Sequence, residues 1–154
     1  VIVEALTDNK NRTASNIRTI FQKNGGNLGS TGVASHQFKQ LGVIRIDKNI
    51  ISDNGILELA INGGAEDCYS NSLYHEIITL KENFYKVKIE IEKEIKEFYS
   101  TGIEWIPINK ISLDNERTKS VLSFLELIED DDDVQNVYAN IEINNNSSLK
   151  DKII

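Results

Sequence analysis

The chain is 154 residues long, 40% hydrophobic and 27% charged, with a formal net charge of -7. That length can bury one ordinary core or two small ones, no apolar run approaches the ~20 residues of a membrane-spanning helix, and a lone cysteine, Cys68, excludes an internal disulfide. The negative balance argues against phosphate binding over the whole surface, but it is uneven: residues 1–48 carry seven Lys and Arg against Glu4, Asp8 and Asp47, whereas residues 49–110 carry six against eleven acids and residues 111–154 four against ten.

The first predicted element is an apolar strand, Val1–Leu6, met without a methionine before it, so the chain reads as one whose upstream segment is missing. A polar turn, Thr7–Asn11, follows, and Asn11 is the expected N-cap of a helix whose apolar stripe is Ala14, Ile17, Ile20 and Phe21. Gly25 stops that helix after Asn24. Arg12, Thr19 and Lys23 lie off the stripe and Arg18 lies at its edge, which makes one helix face cationic. A loop containing Gly25, Gly26, Gly29 and Gly32 leads into expected strands at Val33–Phe38 and Gly42–Asp47.

Ser52 or Asp53 can cap a helix with Ile56, Leu57, Ala60 and Ile61 on one face, ended by Gly63–Gly64. Tyr74–Thr79 reads as a strand. Lys81–Tyr99 satisfies both periodicities, and its length without Gly or Pro favours one long helix. Ile103–Ile106 is a strand closed by Pro107, and Ile111–Leu113 a short one. Asp114 caps a helix with Val121, Leu122, Leu125 and Ile128 inward, Asp130–Asp133 is a solvated turn because adjacent carboxylates repel one another, and Val134–Ile143 is the last strand. Asn144–Ile154 reads as a flexible tail.

This order places a near-complete split βαβ unit between two βαβ fragments. The expected fold class is α+β, with two ferredoxin-like α/β sandwich domains, one inserted in the other: residues 1–40 plus 109–143 form the outer domain, 41–108 the inserted one and 144–154 the tail.

Few residues invite chemistry. GGNLGSTG follows a helix and contains no lysine, so it lacks the arrangement of a nucleotide-binding P-loop. Its glycines stop the helix and turn the chain, and they also let Asn27, Ser30 and Thr31 approach a nucleic-acid backbone. Neither His36, read as a half-buried strand residue, nor His75 stands in a catalytic or metal-ligand motif, and Asp130–Asp133 lacks the alternation of a calcium loop. No general base accompanies Arg12 or Arg18, so no catalytic residue, metal or cofactor is expected. The candidate nucleic-acid-binding set is Asn11, Arg12, Arg18, Lys23, Asn27, Ser30 and Thr31.

Val3–Thr13 (VEALTDNKNRT) and Lys23–Gly32 (KNGGNLGSTG), with Gly42–Ile44, Gly64–Asp67, Ile106–Pro107 and Asp133–Tyr138, resemble in order the corresponding segments of the YebC/PmpR family. That family includes bacterial transcriptional regulators and mitochondrial translational activators of cytochrome c oxidase subunit I. The resemblance implies the discontinuous domain arrangement, a basic helical domain ahead of Val1, and a ribosome or messenger RNA as partner, with promoter DNA as the alternative. His36–Phe38 looks more like the mitochondrial group, which makes the mitochondrial matrix the expected compartment and the bacterial cytoplasm the alternative.

Overall fold

The computed structural model describes residues 1–142. In chain order they form β1 (Ile2–Ala5), α1 (Lys10–Lys23), β2 (Phe38–Asp47), α2 (Asp53–Gly63), β3 (Asp67–Ser70), β4 (Tyr74–Leu80), α3 (Phe84–Glu92), β5 (Ser100–Pro107), β6 (Ile111–Ser112), α4 (Asn115–Glu129), β7 (Val134–Tyr138) and β8 (Ile141–Glu142). Two compact units emerge, one made of Val1–Phe38 with the chain from Pro107 onward, the other of Lys39–Ile106.

The unit Lys39–Ile106 contains β2, α2, β3, β4, α3 and β5, with sheet order β3-β4-β2-β5. This βαββαβ sequence in that order is the ferredoxin-like pattern. Antiparallel register sets Ile44 opposite Ile77 and Ile46 opposite His75, so these residues share one sheet face. Ile56 and Ala60 of α2 and Phe84, Val87 and Ile91 of α3 join Ile44, Ile46 and Ile77 in the core. Ser52 caps α2 by accepting the Gly55 N–H, and Gly64 ends it at φ +86°, a left-handed conformation open to glycine at no steric cost.

The outer unit carries α1 and α4 over an antiparallel β1–β7 pair, registered Ile2 to Tyr138 and Val3 to Val137. Ile17, Phe21 and Ile128 form its core with Val3, Phe124, Val134 and Val137 around them. Phe21 meets Phe124 edge to face, with ring centroids 5.0 Å apart. β6 and β8 pair separately, in parallel.

Several expected boundaries change. Val33–Phe38 is a turn and a 3-10 helix, Ser35–Gln37, because Ser35 Oγ and N–H both bind back to the Gly32 carbonyl; the extended chain begins at Phe38 and runs unbroken to Asp47. The long helix expected at Lys81–Tyr99 reduces to a 3-10 turn and the nine residues of α3. Beyond Glu92 the chain turns, with Glu94 and Ile95 N–H bonded to the Ile91 carbonyl, so that Ile95 and Phe98 reach the same core and the Tyr99 N–H reaches the Arg45 carbonyl. β3 was not expected: Asp67–Ser70 is polar and short, and its strand character comes from pairing with β4. Ala139 and Asn140 divide the last predicted strand, whose end at Ile143, like the expected tail, lies outside the described residues.

Candidate nucleic-acid interface

The start of α1 is fixed by a polar network. Asn9, rather than Asn11, is the N-cap, its Oδ1 accepting from the Arg12 N–H at 3.1 Å; Asn11 sits exposed in the first helical turn. Thr7 Oγ1 accepts the Asn9 N–H at 3.0 Å, and the Leu6 N–H donates to the Asp133 carbonyl at 2.8 Å. Thr13, buried on α1, has its hydroxyl 2.7 Å from Asp133 Oδ2 and 2.7 Å from Thr7 Oγ1. A hydroxyl has one proton, and a carboxylate is the stronger acceptor, so Thr13 donates to Asp133 and accepts from Thr7.

Arg12 belongs to this network rather than to an open cationic face. Its Nη2 lies 3.2 Å from Asp133 Oδ2 and 3.1 Å from Asp8 Oδ1. Hydrogen bonds to Asp133 and then Asp8 hold the guanidinium above its ordinary pKa. The Thr13 hydroxyl first, and Arg12 second, hold the Asp133 carboxyl below the usual aspartate range. Asp133 is therefore not simply part of a solvated turn.

Helix geometry separates the remaining cations. At 100° per residue, Arg18 stands roughly 120° around α1 from Arg12, and Lys23 shares Arg12's side but lies about 16 Å along the axis. Arg18 and Lys23 are themselves about 140° apart around the helix, so the expected contiguous platform does not form: the cations are distributed around α1 rather than gathered on one face. Arg18 and Lys23 are exposed and form no ion pair with another described residue. In the adjoining loop, the Gly26 N–H closes α1 onto the Phe21 carbonyl at 2.8 Å, and Gly25 and Gly32 adopt φ +77° and +87°. Between them the amides of residues 27–32 donate to no backbone carbonyl among the described residues. The side chains of Asn27, Ser30 and Thr31 are exposed. Lys23 in the last turn of α1, and Arg18 about one and a half turns before it, thus flank a segment whose amides have no backbone acceptor among the described residues, a combination suited to anionic oxygens. His36 is exposed in the 3-10 turn, not half-buried in a strand.

The segments around this site also place the chain among known proteins. A model describing the second and third domains of TACO1/YebC proteins matches residues 1–141. The chain belongs to the TACO1/YebC family. A probable transcriptional regulatory protein of Pelagibacter ubique is 58% identical over 146 residues, covering 95% of this chain and 61% of that protein. One of Syntrophus aciditrophicus is 43% identical over 143 residues, covering 93% and 57%. The crystal structure of a conserved hypothetical protein from Aquifex aeolicus superposes with a TM-score of 0.84 at 40% identity, covering 92% of this chain and 59% of that one. The chain thus spans about three-fifths of the length of these TACO1/YebC relatives. Both curated relatives are bacterial and give the mitochondrial expectation no support.

The Thr7–Thr13–Asp133 clamp escaped the sequence reading, since nothing in a run of four aspartates marks which one turns inward. Its titration is testable. The depressed Asp133 pKa contributes stability that is complete above the unfolded aspartate value near 3.8 and is lost as pH falls through the folded value. Urea midpoints measured from pH 7 down to pH 2 are expected to fall in that acid window, and to fall less in Asp133→Asn, which starts from a lower midpoint at pH 7. Parallel pH profiles for the two proteins would contradict the assignment.

Proposed function

We propose that this chain is the part of a gene-expression regulator that docks on RNA, at the ribosome or on a messenger RNA, through the C-terminal end of α1 and the loop that follows. The role at this site is binding rather than catalysis, and the compartment is the bacterial cytoplasm. The observation carrying the reading is that Arg18 and Lys23, exposed and without an ion pair among the described residues, flank loop amides of residues 27–32 that have no backbone acceptor among the described residues. Asn27, Ser30 and Thr31 act with the loop amides, whereas Arg12 is spent on its carboxylates and Asn11 lies toward the other end of the helix. With a net charge of -7, contact is confined to a small tip, which suits an irregular ribonucleoprotein surface better than a long duplex track.

The relatives' names, probable transcriptional regulatory proteins, favour a second reading in which the same tip contacts promoter DNA. Crosslinking the protein in cells and sequencing the attached nucleic acid separates the two. Ribosomal or messenger RNA is the expected product; a defined promoter segment would establish the second reading, and no enriched nucleic acid would remove both. Arg18→Glu with Lys23→Glu is expected to abolish the crosslink, and in binding titrations to reduce the logarithmic salt slope by about 1.5 for two lost phosphate contacts.

A further inference from the structure

In the unit Lys39–Ile106, β3 is an end strand of the sheet and bonds on one side only, to β4. The register sets Asp67 opposite Ile78 and Tyr69 opposite Glu76. At the base of the hairpin the Asn71 N–H donates to the Tyr74 carbonyl at 3.0 Å. Backbone bonding alternates along an antiparallel strand, so Asp67, Tyr69 and Asn71 turn their N–H and C=O groups toward β4. Cys68 and Ser70 turn theirs outward, to an edge that no further strand covers among the described residues. The Ser70 hydroxyl is committed inward, 2.6 Å from Nδ1 of the buried His75, which leaves the Ser70 backbone as the free part.

This edge is self-complementary. Its outward groups lie one residue either side of Tyr69, so a two-fold axis at Tyr69 sets Cys68 of one copy opposite Ser70 of another, and each such pair exchanges both of its N–H···O bonds without a slip in register. The same register faces Asp67 with Asn71 of the other copy. The Asn71 Oδ1 is taken by the Leu73 and Tyr74 N–H groups, which leaves its amide donors for the carboxylate. No carboxylate opposes a carboxylate along β3, and the strand carries neither lysine nor proline, residues that commonly blunt an open edge. The helix beside the edge is apolar on the matching side. α2 packs against β3. A Cβ at Gly63 would meet Val87 and Glu90 of α3, and at 100° per residue Leu57 and Ile61 stand about 120° and 160° around α2 from Gly63, on the flank away from α3. There they are 45% and 67% exposed, and Tyr69 of β3 is 56% exposed.

We propose that β3 is a dimerisation edge, on which a second copy of this chain lays its own β3 antiparallel about a two-fold axis at Tyr69. The two four-stranded sheets then become one of eight strands. The axis stands normal to the sheet, so both α2 helices lie on the same face and their Leu57–Ile61 flanks turn toward each other across the seam. On the opposite face the two Tyr69 rings form a non-hydrogen-bonded cross-strand pair, the type with the closer side chains. Backbone pairing sets the register, and burial of these apolar side chains supplies affinity. An isologous contact of this kind closes at two copies, because each edge is used once. The assembly does not depend on nucleic-acid docking.

Sedimentation equilibrium of the chain at rising concentration, with amide hydrogen exchange followed at each concentration, tests the proposal. A monomer–dimer equilibrium is expected, in which the Cys68 and Ser70 amides gain protection in step with the dimer fraction. Ile61→Lys, at an exposed site where the circular dichroism spectrum is expected to stay unchanged, should raise the dimer dissociation constant about 100-fold or more, since each dimer carries the added charge twice. Ile89→Lys, at a 56% exposed site on α3, is the control and should leave that constant unchanged. Tyr69→Cys should form a reducible dimer joined at position 69, because the Cα atoms of a non-hydrogen-bonded pair lie about 4.5 Å apart, within disulfide reach; Leu127→Cys, on α4, should not. A chain monomeric at every concentration, a dimer that leaves both amides exchanging freely, equal weakening by Ile89→Lys, or disulfide formation no faster in Tyr69→Cys than in Leu127→Cys would overturn the proposal.

Discussion

Gly42→Ala is expected to destabilise the unit Lys39–Ile106 by about 3 kcal/mol or more, at the upper end of overpacking effects. A Cβ at Gly42 would lie 2.1 Å from Thr79 Oγ1, 2.7 Å from Phe84 Cδ2 and 2.9 Å from Phe84 Cβ. Thr79 and Phe84 are themselves buried, so neither can swing aside without vacating core volume. Gly63 provides the contrast, since a Cβ there meets Val87 Cγ1 at an ordinary 3.5 Å; Gly63→Ala, in a helix, is expected to be neutral or stabilising by up to about 1 kcal/mol. Thr79→Ala introduced with Gly42→Ala removes the closest clash but not those with Phe84, so partial rescue is expected, with a measurable coupling energy. Urea unfolding of the wild-type chain, Gly42→Ala, Gly63→Ala, Thr79→Ala and the Gly42→Ala/Thr79→Ala double variant checks the ordering, and an unchanged midpoint for Gly42→Ala would show that β2 and α3 are not so closely apposed.

Arg45→Ala is expected to cost about 3–5 kcal/mol at neutral pH, the range for removing one partner of a buried ion cluster. Arg45 Nε lies 3.0 Å from Glu76 Oε2 and Nη1 lies 2.8 Å from Glu104 Oε2, with the Arg45 side chain only 9% exposed. Ser100 Oγ accepts a further bond at 3.3 Å, and the Tyr74 ring lies beneath the guanidinium. Without the arginine, two carboxylates remain partly buried and repel each other. Glu104 sets the pH dependence. Burial pushes its carboxyl up, against the opposing pull of Arg45, so in the variant it rises further. A raised folded pKa favours the native state below the unfolded value near 4.5 and withdraws that support as pH climbs through the folded value. The Arg45→Ala deficit is therefore expected to shrink between pH 7 and pH 4.5. A deficit constant over that interval would place the loss in packing rather than in stranded charge.

The sequence made local rules visible and left long-range choices hidden. α2 and α4 were legible because Ser52 and Asp114 cap stripes at helical spacing, and β4 because Tyr74–Leu80 alternates between buried and partly exposed positions. The long segment after Lys81 was ambiguous for a physical reason: Ile91, Ile95 and Phe98 fit a helical stripe, yet the chain must leave α3 early to bring Tyr99 to Arg45. β3 carried no propensity signal of its own. At the nucleic-acid site the cations were visible but their partners were not, since Arg12 is bound by Asp133, 121 residues away. The same gap concealed the Ser70–His75 pair: the two residues are five apart, but their bond depends on a hairpin that the sequence did not announce.

In the function proposed above, the end of α1 and its loop, not the acidic remainder, meet the nucleic acid. Identifying the crosslinked peptides in protein recovered from cells tests it most directly. Adducts are expected within Arg18–Gly32. Adducts concentrated in the acidic segments of Lys39–Ile106, or at an unchanged level after Arg18→Glu with Lys23→Glu, would contradict it.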